Sequence, residues 1–302
     1  MAIFLRKMQT LLALLLKSNR VCVFIFINHK CFLISYIFIG DIVKIILLSK
    51  KYILFFNLLV IIFLFHFLTF YQSFSLDSVF SSSSSLDGSL QTKVDNLVKG
   101  SDKIAYLTFD DGPTLSSTCK ILDILKDEDV KATFFVIGKS VNKHPELVKR
   151  AYNEGHYIAN HGYSHDNSKL YKSNDSFVSE IKDTDMEIGK AIGISDYCSH
   201  VFRFPNGFMS PIYKTRKKEV VTLLYNMGYV YVDWNCLNHD SVKKFSKSQL
   251  LNNLKKSCKN KGTLVVLMHD TTDVSDSSSV LRDSISFLRN QGYVFKNFYD
   301  LM

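Results

Sequence analysis

From Lys103 onward, short apolar runs alternate with segments whose apolar residues recur every three or four positions. The runs Ile104–Phe109, Ala132–Ile137, Tyr157–Asn160, Val201–Arg203, Val230–Asp233, Leu264–Met268 and Val294–Phe295 predict strands. Between them, Cys119–Lys126, Pro145–Glu154, Phe177–Ile192, Lys217–Met227, Gln249–Cys258 and Val280–Gln291 predict amphipathic helices. Regular alternation of strand and helix predicts an α/β fold on a mainly parallel sheet, open or closed into a barrel. In such folds the strand ends and the loops after them carry the chemistry.

The first hundred residues differ. Tyr52–Phe70 holds nineteen residues without Asp, Glu, Lys or Arg, close to the length a helix needs to cross a bilayer core. A run apolar on every side suits lipid better than a soluble core, so 52–70 is expected to be a transmembrane anchor. Lys50 and Lys51 precede it, and no basic residue follows until Lys93. The positive-inside rule then puts the N-terminus in the cytoplasm and the downstream domain outside. Secretion after signal cleavage is the alternative, disfavoured by the length of the run and the lack of a small-x-small site. Residues 1–51 form a basic, hydrophobic leader of unsettled status. A second span over Cys31–Leu48 would bury Asp41 and Lys44, and an over-extended start would also fit. Residues 71–100, with the serine run Ser81–Ser85, read as a flexible spacer. The catalytic domain is expected over 101–302.

Charge sharpens the division. The formal net charge is +9, but residues 1–76 contain eight basic residues against Asp41 and supply +7 of it. The remainder is nearly neutral, so the basic balance is no argument for nucleic-acid binding, and none is expected. Cys119, Cys198, Cys236 and Cys258 include no CxxC pair, which argues against a zinc knuckle or thioredoxin-type site. Outside the cytoplasm they could pair in three ways or remain free thiols.

Polar clusters stand at the expected strand ends. Asp110-Asp111-Gly112-Pro113 follows the first, and two adjacent carboxylates there could divide metal binding from base work; an ordinary turn is the plain reading. His161 and His165 follow Tyr157–Asn160, four residues apart, close enough to face one ion. An Asp with two His leaves coordination positions open for water or substrate. Arg203 with the constrained turn Pro205-Asn206-Gly207 could orient a carboxylate and aim an N–H at an oxyanion. Asp233, Trp234 and Asp240 follow the fifth strand, and the apolar Leu264–Met268 delivers His269-Asp270.

This ordered set, Thr108–Pro113 (TFDDGP), Asn160–His165 (NHGYSH), Arg203–Gly207 (RFPNG), Asp233–Asp240 (DWNCLNHD) and Leu267–Asp270 (LMHD), strongly resembles the five motifs of carbohydrate esterase family 4, the polysaccharide deacetylases. The resemblance extends over about 200 residues and includes the connecting text Lys131–Gly138 and His144–Arg150. It implies a distorted (β/α) barrel with about seven strands. It implies one divalent metal ion, zinc first with cobalt or nickel possible, held by Asp111, His161 and His165. Asp110 would be the general base, held by Arg203, and His269 the general acid, oriented by Asp240. The N–H of Asn206 would bind the oxyanion, with Pro205, Trp234 and Leu267 bordering the substrate and Leu267 lining the acetyl-methyl pocket.

Four positions, in three motifs, depart from the family. Gly162 stands where Ser or Thr is usual, Asn206 replaces a common aromatic, and Leu237 and Ser241 stand where Asp and Trp are frequent. Every residue with a direct chemical role is nevertheless present. The expected activity is hydrolysis of N-acetyl groups on a cell-wall glycan, peptidoglycan N-acetylglucosamine first. N-acetylmuramic acid, chitin oligomers and xylan are alternatives, as are a peptide amidase and a non-catalytic carbohydrate-binding scaffold.

Overall fold

The computed structural model of the chain describes residues 21–27, 30–37, 90–271 and 273–300. The chain divides into two units, Met1–Leu76 and Asp77–Met302. In the first, β1 (Val21–Ile27) and β2 (Lys30–Ile37) pair antiparallel across a two-residue link. Both are rich in β-branched and aromatic residues, so the start of a helical span over 31–48 is replaced by a strand. The expected anchor, 52–70, lies outside the described residues. Among the described residues, no helix is long and apolar enough to cross a membrane.

The second unit begins earlier than expected. A helix over 90–97, α1, packs Leu90, Val94, Leu97 and Val98 against the core, and Gln91 bonds the backbone of Tyr231 through both ends of its amide. The end of the presumed spacer is therefore part of the domain. Its apolar residues fall at helical spacing and find a partner some 140 residues on.

The strands are β3 (Ile104–Asp110), β4 (Thr133–Val136), β5 (Tyr157–Asn160), β6 (Val201–Phe202), β7 (Val230–Tyr231), β8 (Cys236–Leu237), β9 (Leu264–His269) and β10 (Val294–Lys296). All pair in parallel, in the order β7-β6-β5-β4-β3-β9-β8, with β10 beside the start of β3. β7 and β8 occupy opposite edges yet are joined by only residues 232–235. Such a link reaches at most about 18 Å, whereas seven flat strands would hold their edges roughly 29 Å apart. The sheet must curl, which gives the distorted half-barrel.

The helices are α2 (Thr118–Asp127), α3 (Gly138–Lys143), α4 (Pro145–Asn153), α5 (Asn167–Leu170), α6 (Asn174–Ile192), α7 (Lys214–Asn226), α8 (Lys247–Ser257) and α9 (Ser278–Asn290). Strand alternation sorts side chains between two cores. Ala105, Leu107, Phe109, Phe134, Val136, Leu264, Val266 and Met268 pack with residues of α2, α4 and α9. Tyr106, Phe135 and Val265 point to the other face, in a cluster with Val94 of α1 and Phe298. The same parity sends Thr108, Asp110, Leu267 and His269 to that interior face. The β3–β9 register sets Asp110 opposite His269, so two reactive side chains meet as a consequence of strand pairing. Cys119, Cys198, Cys236 and Cys258 are all unpaired thiols.

One buried group beneath the sheet makes stability acid-sensitive. The Nδ1 of His156, which is fully buried, accepts the Ala132 N–H at 3.1 Å, and its Nε2 has no hydrogen-bond partner. Burial, helped by the charges of Lys131 and Arg150, lowers its pKa from 6.5 to about 4. The folded state thus resists a proton that the unfolded chain accepts, so this contribution is complete above pH 6.5 and is lost as pH falls to 4. The loss is on the order of 3 kcal/mol. Urea unfolding across this range should show a steeper acid slope for the native protein than for His156→Asn, which keeps an acceptor at the Nδ1 position. Equal slopes would assign the acid lability to other groups.

Candidate active site

The site forms where β3, β5, β6 and β9 end. Asp110, the last residue of β3, is almost fully buried, and its Oδ1 accepts from Arg203 Nη1 at 2.7 Å. Arg203, just past β6, is completely buried and spends its donors on four acceptors: Asp110, Thr108 Oγ1 at 2.8 Å, and the carbonyls of Val232 and Asp233. Its guanidinium also lies 3.9 Å from the centroid of Phe135. A planar fork satisfied on all sides fixes one carboxylate oxygen and supplies its countercharge. The other oxygen of Asp110 is 3.8 Å from His161 Nε2.

Asp111, at φ 74°, turns its carboxylate away from β3 toward the loop after β5. Its Oδ1 lies 3.5 Å from His161 Nε2 and 3.3 Å from His165 Nε2. That oxygen is buried and has no hydrogen-bond partner. His161 Nδ1 lies 2.8 Å from the Arg203 carbonyl, which can only accept. The proton is therefore on Nδ1, and Nε2 turns a lone pair toward Asp111. Burial lowers the pKa of His161 and so favours this neutral ring. The potential ligand atoms of Asp111, His161 and His165 all lie within 4.8 Å of one another. A buried carboxylate oxygen with no donor, facing the His161 lone pair and the Nε2 of His165, is short of a positive partner, and a divalent cation fits that donor set.

Across the site, His269 Nδ1–H donates to Asp240 Oδ1 at 2.6 Å, and the His269 backbone N–H donates to the other oxygen at 2.7 Å. Ser277 Oγ donates to the same carboxylate. Burial alone would lower the His269 pKa. The Asp240 hydrogen bond and charge, followed by the charges of Asp110 and Asp111, outweigh it and raise the value to about 9. The ring is thus held protonated through neutral pH, with Nε2 left for a reacting group.

The remaining residues form the rim. Phe204-Pro205-Asn206-Gly207 closes a turn in which the Gly207 N–H donates to the Phe204 carbonyl at 2.7 Å. Pro suits the second position of such a turn, and Asn tolerates the φ of 65° at the third. Among the described residues the Asn206 N–H has no acceptor. Asn206 Oδ1 accepts from Asn167 at 2.8 Å. Lys217 donates to the Gly207 carbonyl, while Asp233 accepts the N–H groups of Phe208 and Met209. Trp234 covers Gly207, where an added Cβ would stand 2.8 Å from its ring. Leu267 is buried two residues before His269. The structure thus gathers Asp110, Asp111, His161, His165 and Arg203, sets His269 with Asp240 opposite Asp110, and leaves Pro205, Asn206 and Trp234 around the Gly207 turn. Lys217 and Ser277, which hold the Gly207 carbonyl and the Asp240 carboxylate, lie outside the motifs.

Comparison with known proteins agrees with this geometry. The sequence model of a family described as polysaccharide deacetylase matches residues 98–232. The peptidoglycan-N-acetylmuramic acid deacetylase PdaA of Bacillus subtilis is 32% identical over 203 residues, 67% of this chain and 72% of that protein. A peptidoglycan-N-acetylglucosamine deacetylase of Bacillus cereus is 34% identical over 203 residues, 66% of this chain and 70% of that protein. The structure of a CE4 esterase of Streptococcus mutans superposes with a TM-score of 0.61 at 29% identity, covering 68% of this chain and 90% of that one.

Proposed function

Since the chain belongs to the polysaccharide deacetylase family, we propose that it is a metal-dependent hydrolase removing N-acetyl groups from amino sugars of a cell-wall glycan. Peptidoglycan N-acetylglucosamine is the first substrate and N-acetylmuramic acid the second; the two relatives above carry names for one sugar each. The carrying observation is the ligand-atom cluster of Asp111, His161 and His165, next to a carboxylate held by Arg203 that stands opposite an imidazole held by Asp240.

Asp111, His161 and His165 would hold the ion, zinc by preference. When bound there, such an ion polarises the acetamide carbonyl and lowers the pKa of water. Asp110, its second oxygen free of Arg203, takes the proton of the attacking water. The Asn206 N–H donates to the oxygen that gains charge. Leu267 lines the space for the acetyl methyl, and Trp234 with Pro205 shapes the rim. His269 gives its Nε2 proton to the departing amine. The water's hydroxyl joins the acyl carbon, the C–N bond breaks, and acetate and a free amine result. A helix over 52–70, with Lys50 and Lys51 on its cytoplasmic side, would hold the domain outside the cell membrane and near the wall.

The test is acetate release by the full-length protein from N-acetylglucosamine oligomers and from purified peptidoglycan. Release should stop with a chelator and return with zinc or cobalt, and mass spectrometry of the product identifies the sugar. No release from any glycan with any of these ions would favour a binding scaffold instead.

A further inference from the structure

The loop between the two expected histidine ligands is tied down by a residue outside every motif. His161 to His165 must hold two imidazoles on one point, yet Gly162, at φ 83°, brings no hydroxyl to support the loop. Gly162, Tyr163 and Ser164 instead hold the loop through their backbone groups. The carbonyls of Gly162 and Tyr163 accept from Gly138 and Lys139 at the start of α3, at 3.0 and 2.9 Å. The Gly162 N–H donates to Asn160 Oδ1 at 2.9 Å. The two N–H groups that follow, of Tyr163 and Ser164, converge on one oxygen of Glu180, both at 2.8 Å. The other oxygen of Glu180 accepts the Ser164 hydroxyl at 2.7 Å, and that hydroxyl accepts the Asp166 N–H at 3.2 Å. One carboxylate therefore holds the chain directly before His165 and, through the Ser164 hydroxyl, the residue after it.

Glu180 also borders the place that a side chain at 162 would take. A Cβ built on Gly162 would stand 3.6 Å from Glu180 Oε2. Glu180 lies on α6, whose Phe177, Ile181 and Ile188 anchor it to the core, so the carboxylate is presented from a rigid element. Resting on the metal-site reading above, we propose that Glu180 is a positioning residue that sets the His161–His165 geometry, taking over from α6 the support that Gly162 cannot give.

The test is zinc affinity of the full-length protein, measured by competition with a chromophoric chelator, together with the visible spectrum of the cobalt form. Glu180→Ala should weaken zinc binding about 10- to 100-fold and alter the cobalt bands. Glu180→Gln can still accept both N–H groups on its oxygen and should stay within about threefold of wild type. A purely structural role would lower the melting temperature of the metal-free protein while leaving zinc affinity unchanged. That outcome, or Glu180→Ala binding zinc within twofold of wild type, overturns the proposal. Should Glu180→Ala fail to fold, Ser164→Ala removes only the hydroxyl arm, and roughly a threefold or greater loss is expected; no loss overturns it. If wild type itself takes up no zinc or cobalt, the metal-site reading falls and this proposal with it. If wild type binds normally and the variants bind equally well, only the proposal falls.

Discussion

Asp110→Asn is expected to lower the rate of deacetylation about 10²- to 10⁴-fold, the usual worth of a positioned general base, while zinc affinity stays near that of wild type. The substitution is nearly isosteric. Its carbonyl oxygen can keep the bond from Arg203 Nη1, now 2.7 Å long, and none of Asp111, His161 and His165 is altered. What disappears is the charge and the second oxygen's capacity to take a proton. The loss should therefore fall on kcat with KM little changed, as for an interaction made only in the transition state. Arg203 sharpens the expectation. It is a fully buried cation whose one carboxylate partner among the described residues is Asp110, and removing one member of a buried pair is costly. The variant should thus melt below wild type yet still fold, because the guanidinium keeps three other acceptors. A variant with full turnover would show that the base lies elsewhere. One that loses zinc together with activity would instead make Asp110 a ligand.

The reactive residues were legible in the sequence because each follows an apolar strand, and strand parity with parallel register then determines what meets. The alternation in Ile104–Asp110 and Leu264–His269 buries Leu107, Phe109, Val266 and Met268 on one face, so Asp110 and His269 must share the other. The supporting residues were not legible for equally physical reasons. Glu180 lies between Phe177 and Ile181 on α6 and resembles any flank of an amphipathic stripe; only the folded loop supplies its donors. Helix α3 has six residues and β8 two, too short for a period to register. Helix α1 follows a serine-rich stretch, and its partners on Tyr231 are remote in sequence. The curl of the sheet came from the family resemblance and not from the residue pattern, because the strand that requires it, β8, leaves no mark in the chain.

His269→Gln should likewise cost about 10²- to 10⁴-fold, but its signature is in the pH profile. The imidazole must carry a proton to release an amine, and Asp240 with Asp110 and Asp111 raises its pKa from 6.5 to about 9. Wild-type kcat/KM should hold through neutral pH and fall as pH rises toward 9. A cation beside Asp111 would offset one of the raising charges and move that limb lower. In Asp240→Asn the largest raising influence is gone, while burial still disfavours the charged ring, so the limb should move to more acidic pH. In His269→Gln it should vanish, leaving a low rate without this dependence. Leaving-group chemistry gives an independent check. An amine departs poorly without a proton, whereas the alkoxide from an O-acetyl ester needs one less, so His269→Gln should be less damaging on an O-acetylated substrate than on an N-acetylated one. If Gln at 269 retains wild-type kcat with the alkaline limb in place, the proton comes from another group. If the limb stays but both substrates suffer equally, His269 acts in binding or orientation and the Asp240 pair serves to aim the ring.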